Sequence, residues 1–250
     1  MVGRLFLRGL LAGAIAGLIA FGFARIFGEP ALNLAIAFEE ATTGGHSHDG
    51  AGEADGHTHD GEPVVSRATQ AGIGLLTVTV LFGVGLGGLL SLVFGFVYGR
   101  ISTLGPRGTA ALLAVAAFVS VNLVPAIKYP PAPPGVGDPD TVGFRTVVYL
   151  VMVLVSIGAA ASSVSLSRSF AARVGTWNSA ILGIVLFVII VTIAHVSLPD
   201  VSDVPANFPP TVLWDFRVAS LGLQLVLWVG IGLVFGALAK RALASSQVAR

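Results

Sequence analysis

The sequence contains no cysteine. This absence excludes disulfides, thiolate metal sites, iron–sulfur clusters and cysteine nucleophiles. Charge is also scarce, because the 14 basic and 13 acidic residues make up 11% of the 250 residues, against roughly 25% in a soluble domain. Hydrophobic residues account for 54%, and a soluble globule of this size could not hide so much apolar surface. The composition therefore predicts an integral membrane protein.

Motifs for catalysis and for ATP hydrolysis are missing as well. Lysine occurs only at Lys128 and Lys240, and neither lies in a phosphate-binding GxxxxGK[ST] loop. There is no GxSxG, no HExxH and no basic stripe of the kind that nucleic-acid binders carry. The long apolar stretches hold no deep Asp or Glu, the residues on which proton-coupled carriers rely. We therefore expect neither an enzyme nor a nucleic-acid partner, and any transport must draw on a gradient, the membrane potential or another subunit.

Long apolar stretches define the fold class. A membrane-spanning helix needs about 20 mostly apolar residues, and the stretches that qualify are 7–27, 71–97, 109–127, 146–166, 179–198 and 218–239. The prediction is an all-α integral membrane protein with about six transmembrane helices in a single membrane domain, residues 1–250. The basic start of the first stretch, with Arg4 and Arg8, leaves open a cleaved signal peptide and five remaining spans.

The distribution of basic residues predicts the orientation. With the N-terminus in the cytoplasm, the inner segments hold nine basic residues and no acid, whereas the outer segments hold five basic residues and all 13 acids. This bias favours a multi-pass protein of the inner (cytoplasmic) membrane with both termini inside. Glycines recur at four-residue spacing, which either lets helices approach closely in lipid or reflects a glycine-rich composition; they are Gly9, Gly13, Gly17, Gly83, Gly87, Gly95, Gly99, Gly232 and Gly236.

The most distinctive segment is the outer loop predicted over residues 28–70. It contains two copies of one motif, GHSHDG at 45–50 and GHTHDG at 56–61. Imidazole suits Zn, Cu, Fe, Ni and Co, and carboxylate adds charge, so the motif predicts a flexible metal-collecting arm. The alternative is a solvated acidic loop in which histidine is incidental. The predicted ligands are His46, His48, Asp49, His57, His59 and Asp60.

Other candidate residues lie near the ends of the predicted spans. Glu39 and Glu40 end a short amphipathic piece and could relay cations, or simply be interfacial charge. Asn122 and Pro125 lie within a span, where a proline frees a backbone carbonyl; they predict either a cavity wall or an ordinary proline kink. His195, near the end of the fifth span, is a metal ligand or gate, or an interfacial histidine bonded to a carbonyl.

Several long strings resemble the CbtA family of predicted cobalt transporter subunits. They are RIFGEPALNLAIAFEEA, the histidine-rich loop, KYPPAPPGVGDPDTVGFRT, His195 with LPD, and FPPTVLWDFRVASLGLQ. The resemblance implies cobalt as substrate, a link to cobalamin supply, and a partner of the CbtB type, a small single-span protein with its own histidine-rich segment. The family is usually described with five spans, whereas six are counted here.

These observations combine into one functional hypothesis. The outer loop gathers a divalent metal, with Co²⁺ as cargo rather than cofactor, and delivers it to a cavity near Asn122, Pro125 and His195 between the third, fifth and sixth spans. Uptake is the favoured direction, and membrane lipid is the surrounding partner. The alternatives are a non-transporting membrane scaffold or sensor that buffers metal for a partner, and efflux.

Overall fold

The computed structural model of the chain describes residues 2–43, 66–134, 136–137, 139–201, 204–205 and 207–248. Five long helices account for most of them, and each is long and apolar enough to cross a membrane. Apart from an isolated bridge between Tyr98 and Ser102, the described residues hold no β-structure. The prediction of an all-α membrane protein is therefore confirmed. The helices are α1 (residues 2–43), α2 (Arg67–Val97), α3 (Pro106–Lys128), α4 (Val142–Ser197) and α5 (Pro210–Val248), with a 3₁₀ turn at Pro139–Thr141.

Helix α4 contains two of the predicted spans, 146–166 and 179–198, which is why five long helices are found where six spans were expected. Its 56 residues would form a straight rod of about 84 Å at 1.5 Å per residue. Gly175 breaks the rod, with φ of 81° and ψ of 162°, a backbone conformation that a residue with a Cβ rarely adopts. The Ser167 hydroxyl donates to the Ser179 carbonyl at 2.8 Å, so the two arms of α4 fold back on each other as a hairpin.

Contacts between helix ends bring both ends of the described chain to the same end of the bundle. Arg8, near the start of α1, donates to the carbonyl of Leu238, near the end of α5, at 3.0 Å. Arg168, close to the hairpin tip of α4, donates to the carbonyl of Arg100, just after α2, at 3.2 Å. We call the end of the bundle that holds both ends of the described chain the terminal end. The opposite end, where α1 ends and α2 begins, is the loop end. With the α4 hairpin counted as two arms, six helical segments run between the two ends.

The helices that flank the histidine-rich segment are longer than their apolar stretches. Helix α1 continues past its first part, Val2–Phe23, through a π-helical turn at Ala24–Gly28 and on through Glu29–Thr43. Helix α2 begins at Arg67 and has its own π-helical turn at Gln70–Gly74. Residues 29–43 and 67–70 of the predicted outer loop are therefore helical. The sequence indicated a short amphipathic piece ending at Glu39 and Glu40, but not that it continues α1 through a π-helical turn.

Close packing of α1 on α2 depends on glycine, as the four-residue spacing predicted. A Cβ added to Gly17 would lie 2.6 Å from the Thr79 carbonyl oxygen, and one added to Gly83 would lie 3.2 Å from the Gly17 Cα. Gly13 is packed against the Gly83 backbone in the same way. The prediction is confirmed for these residues and for Gly9, Gly87, Gly232 and Gly236, but not for Gly95 and Gly99, where an added Cβ meets nothing within 4 Å.

The main apolar core lies between α1, α2, α3 and α5. Phe94 of α2 and Phe235 of α5 are fully buried and meet edge to face with ring centroids 5.1 Å apart. Alanines of α1, α3 and α5 belong to the same cluster as these two phenylalanines. Gly232 of α5 also packs against Ala114 of α3. A second cluster joins the α4 hairpin to the part of α3 nearest the loop end, through Met152 and Val124.

The proline in α3 explains an irregular turn in that helix. Pro125 has no N–H, so the carbonyls of Val121 and Ser120, four and five residues earlier, lose possible donors; a π-helical turn covers Phe118–Leu123. Two hydroxyls of α4 replace those donors: Tyr149 donates to the Val121 carbonyl at 3.1 Å, and Ser156 donates to the Ser120 carbonyl. The two freed carbonyls thus accept hydrogen bonds from protein hydroxyls. These two hydrogen bonds link α3 to the α4 hairpin.

Removing these hydroxyls should loosen the hairpin from α3. We expect the double variant Tyr149→Phe and Ser156→Ala to be less stable by about 1–3 kcal/mol, because each change leaves a buried carbonyl without a donor. Steric trapping or thermal unfolding in detergent measures this. The control is Ser169→Ala, whose exposed hydroxyl bonds only within its own helix, to the Ser165 carbonyl. Equal stability of the double variant and the control would contradict the prediction.

Candidate functional site

A cavity of about 900 Å³ opens at the loop end of the bundle. The end of α3, the proline-rich segment that follows, the start of α4, the segment after α4 and the first turns of α5 enclose it. Successive prolines favour extended backbone, so the chain after α3 lines the cavity instead of continuing the helix. The polar side chains on its wall are Asn122, Lys128, Tyr129, Arg145, Thr146, Tyr149, Asp200, Arg217, Ser220 and Gln224.

Cationic side chains dominate the wall of this cavity. Lys128, Arg145 and Arg217 line it, whereas Asp200 is the one carboxylate among the described lining residues. Arg217 donates from Nε to the Pro131 carbonyl at 3.3 Å, which fixes its guanidinium on the wall. The lining that the structure describes therefore carries more positive than negative charge, and such a surface disfavours a bare dication.

Neutral polar groups occupy the deeper part of the cavity. The Trp228 indole donates to Asn122 Oδ1 at 2.7 Å, which ties α5 to α3. Gln224 Oε1 is buried without a hydrogen-bond partner among the described residues. A buried acceptor of this kind costs free energy unless a donor reaches it. The charged side chains Lys128 and Arg217 thus lie nearer the loop end than the neutral Asn122 and Gln224, which are six and seven residues further into α3 and α5.

One side of the cavity is closed by contacts between α3 and the segment after α4. Lys128 forms an ion pair with Asp200, and the Tyr129 hydroxyl donates to the Pro199 carbonyl at 2.9 Å. The hydrogen bond from Lys128 lowers the pKa of Asp200 below its ordinary value, and the charge of Lys128 adds to this effect. Burial raises the pKa of the Tyr129 phenol.

The Lys128–Asp200 pair gives a pH dependence with a definite sign. Because the pKa of Asp200 is lowered in the folded protein, the pair stabilises the fold at pH values above 3.8 and is lost as the pH falls through the lowered pKa. We expect Asp200→Asn to reduce the melting temperature slightly at neutral pH, since the carboxylate is exposed. The difference from the unmodified protein should vanish in acid. The control is Asp215→Asn, which removes an exposed carboxylate of α5. A difference in melting temperature that persists at low pH, or that this control reproduces, would contradict stabilisation by the Lys128–Asp200 pair.

A smaller cavity of about 340 Å³ lies where α1 and α2 approach the histidine-rich segment. Arg67 pairs with the buried carboxylate of Glu29 at 2.6 Å and donates to Asn33 Oδ1 at 3.1 Å. Arg25 donates to the Ala71 carbonyl at 3.2 Å, which links the π-helical turns of α1 and α2. These contacts hold the start of α2 against α1 near its π-helical turn, at least ten residues before α1 ends at Thr43.

The predicted metal ligands are not gathered in the part of the chain that the structure describes. Glu39 is half-buried near the end of α1, Glu40 follows it in the same helix, and His195 is half-buried in the last turn of α4. No group of three or more His, Asp or Glu side chains that could hold a metal ion occurs among the described residues. His46, His48, Asp49, His57, His59 and Asp60 lie outside the described residues.

The predicted cavity exists, but its lining differs from the expectation. Asn122 lines it, whereas Pro125 is buried in α3 and His195 is not among the lining residues. The first arm of α4 contributes Arg145 and Tyr149 in place of the predicted fifth span. Sequence reasoning missed Arg145, Tyr149, Gln224 and Asp200 as cavity residues. The only available signal was their polar character at the ends of apolar stretches, and that does not reveal which helices are neighbours.

Comparison of the chain with known proteins identifies one family. The family model described as "Probable cobalt transporter subunit (CbtA)" matches residues 2–240. No curated protein and no solved structure matches the chain. The family match spans nearly the whole chain and covers α1 to α4, most of α5 and the histidine-rich segment. The chain therefore belongs to the CbtA family of probable cobalt transporter subunits.

Proposed function

We propose that the chain is the metal-capturing membrane subunit of a transporter for a divalent ion, with Co²⁺ as the cargo. The observation that carries this proposal is the duplicated motif, GHSHDG and GHTHDG, between two helices of a chain in the CbtA family. Glycines around each copy allow ligands of both copies to meet on one ion. The proposed ligands are His46, His48, Asp49, His57, His59 and Asp60, with Glu39, Glu40 and His195 as further contacts.

The proposed topology has six crossings of the cytoplasmic membrane with both termini inside. The break at Gly175 supports counting α4 as two crossings. The hydrogen bond from Arg8 to the Leu238 carbonyl supports an even number of crossings, because it places the start of α1 and the end of α5 at the same end of the bundle. Basic residues at the terminal end, such as Arg100 and Arg168, favour the cytoplasmic side. The loop end and its histidine-rich segment then face outward.

The proposed direction is uptake. No ATP-binding motif is present in the sequence, and an inside-negative potential favours entry of a dication by about 4.6 kcal/mol per 100 mV. The acidic outer segment raises the local cation concentration, an effect that salt weakens. Bound metal requires neutral imidazole, so capture should weaken below about pH 6.

A second candidate function is supported by the charge of the large cavity. The described wall carries three basic side chains and one carboxylate, and this excess of positive charge opposes passage of a bare dication. In this alternative the chain captures or buffers the metal and passes it to a partner, such as a small single-span CbtB-like subunit, which provides the route. The chain would then be a membrane scaffold and not the conducting subunit.

Two measurements test these proposals. Elemental analysis of cells with and without the gene should show higher cobalt, at limiting external metal, only when the gene is present. Purified chain in liposomes under an imposed inside-negative potential should then accumulate radioactive cobalt if it conducts alone. Accumulation that needs the added small partner supports the scaffold. Equal cobalt in both cell types, together with no accumulation in either liposome preparation, would refute both candidates.

A further inference from the structure

We propose that the terminal end of the bundle binds the head group of an anionic phospholipid, between the turn after α2 and the tip of the α4 hairpin. The residues that hold its phosphate in this proposal are Arg100 and Arg168. The inference goes beyond the metal-capturing role proposed above, because it concerns the end of the bundle opposite the histidine-rich segment. It rests on the contact between the two arginines, on the absence of acidic residues from this end and on the exposed apolar side chains beside them.

Packing brings together two arginines that are 68 residues apart in the sequence. Arg168 Nη2 donates to the backbone carbonyl of Arg100 at 3.2 Å, and both residues are exposed. This hydrogen bond uses one nitrogen, so Nε and Nη1 of Arg168 keep donors for another acceptor. The guanidinium of Arg100 lies over the Phe96 ring, with Cζ 5.7 Å from the ring centroid. Both guanidinium groups are therefore accessible to an anion.

The chain provides no acidic side chain at this end to neutralise the arginines. Asp and Glu are absent from the segments that lie there, which are residues 2–8, 98–107, 168–178 and 238–248. A planar guanidinium matches the geometry of a phosphate and can donate two parallel hydrogen bonds to it. Basic clusters between membrane helices attract the head groups of anionic lipids for this reason. A negative charge from outside the chain therefore complements this surface.

Apolar side chains next to the arginines favour a lipid as the source of that charge. Phe96, which contacts Arg100, is 62% exposed, and Val164, four residues before Arg168, is 48% exposed. Val164 lies about 6 Å closer to the middle of the bundle than Arg168, on the same face of the helix. Trp177, near the tip on the other arm, is 78% exposed, which is typical of the level of the head groups. A phospholipid here would place its phosphate on the arginines and its acyl chains on Phe96 and Val164.

The lipid would also strengthen the attachment of the hairpin tip. Towards the loop end, the hairpin packs on α3 through Met152 and Val124. At the tip, the hydrogen bond from Arg168 to the Arg100 carbonyl is the one hydrogen bond within the described part of the chain that links the hairpin to the other helices. A phosphate that contacts both arginines adds a second link between the same elements. Because this arrangement exists only in the folded chain, binding should stabilise the fold.

Phosphatidylglycerol and phosphatidylcholine with identical acyl chains are suitable probes, since only the first carries a net negative charge. Each is added in mixed micelles to the purified full chain without metal. We expect phosphatidylglycerol to bind more tightly and to raise the melting temperature more than phosphatidylcholine does. Equal shifts with the two lipids would overturn the proposal. No metal is present, so the outcome does not depend on whether the histidine-rich segment captures cobalt.

Arginine variants test the position of the site. Arg100→Gln should weaken phosphatidylglycerol binding, measured by native mass spectrometry, by roughly tenfold or more, since charge-assisted hydrogen bonds are the strong ones. Arg100→Lys, which keeps the charge, should retain part of the affinity and shows that the fold tolerates change at this position. The matched control is Arg241→Gln, which removes an exposed arginine of α5 at the same end of the bundle. Equal affinity in Arg100→Gln and Arg241→Gln would indicate diffuse attraction by the basic end and would overturn the assignment of a site.

Glycerol phosphate distinguishes a lipid from a free phosphate, because it carries the phosphate and the glycerol without acyl chains. At matched ionic strength we expect it to change the melting temperature little, since it makes no contact with the apolar side chains beside the arginines. A shift as large as that of phosphatidylglycerol would overturn the assignment to a lipid.

Discussion

Replacing Gly83 by leucine is expected to separate α1 from α2 and to prevent the bundle from forming normally. A Cβ at this position would lie 3.2 Å from both the Cα and the N of Gly17, and would crowd the Gly13 carbonyl. These atoms are all backbone, so no side-chain rotation can relieve the overlap, and the two helices must move apart. Overpacking of side chains usually costs about 1–3 kcal/mol, and we expect the loss here to reach or exceed the upper value.

The matched control is Gly85→Leu, two residues away on the same helix. A Cβ there meets nothing within 4 Å, and leucine has a higher helix propensity than glycine. This variant should therefore be as stable as the unmodified protein or slightly more stable. Thermal unfolding in detergent, with the yield of monodisperse protein, measures both. Similar behaviour of the two leucine variants would show that the approach of α1 to α2 does not depend on glycine.

Replacing His46, His48, His57 and His59 together by alanine is expected to abolish capture of cobalt at limiting concentration. These residues are the proposed nitrogen ligands, and loss of groups that merely orient metal ligands already costs about 10–100-fold in affinity. We expect at least a tenfold weaker affinity of the purified chain for Co²⁺. Uptake in cells should fall at low external metal and recover at high metal, because the segment collects the ion and does not conduct it.

The control keeps every proposed ligand and changes only the residues between them. Ser47→Ala with Thr58→Ala removes the hydroxyl from each HxHD motif and should leave affinity and uptake unchanged. Binding measured between pH 5 and pH 8 should rise with pH in the control and stay low in the alanine variant, since imidazole binds metal only when neutral. Unchanged uptake by the four-histidine variant at all metal concentrations would remove the segment from the mechanism.

Some features of the site could be predicted from local sequence, and others depend on which helices are neighbours. The position of Pro125 was sufficient to predict freed carbonyls in α3, but not that Tyr149 and Ser156 of α4 would donate to them. Asn122 was correctly expected at a cavity. The charge of that cavity was not, because Arg145 and Arg217 lie 72 residues apart in the sequence and meet only through packing.

The amino-acid sequence by itself determined the class of the protein. Apolar runs long enough to span a membrane require helices there, because lipid offers no partner for the backbone N–H and C=O groups, and glycines four residues apart allow two helices to touch. Only the tertiary structure decided that Gly175 folds one 56-residue helix into a hairpin and that Lys128, Arg145 and Arg217 share one cavity. Hydropathy reports how each segment partitions between water and lipid. Neighbours are set by side-chain packing between segments, which no single stretch of sequence contains.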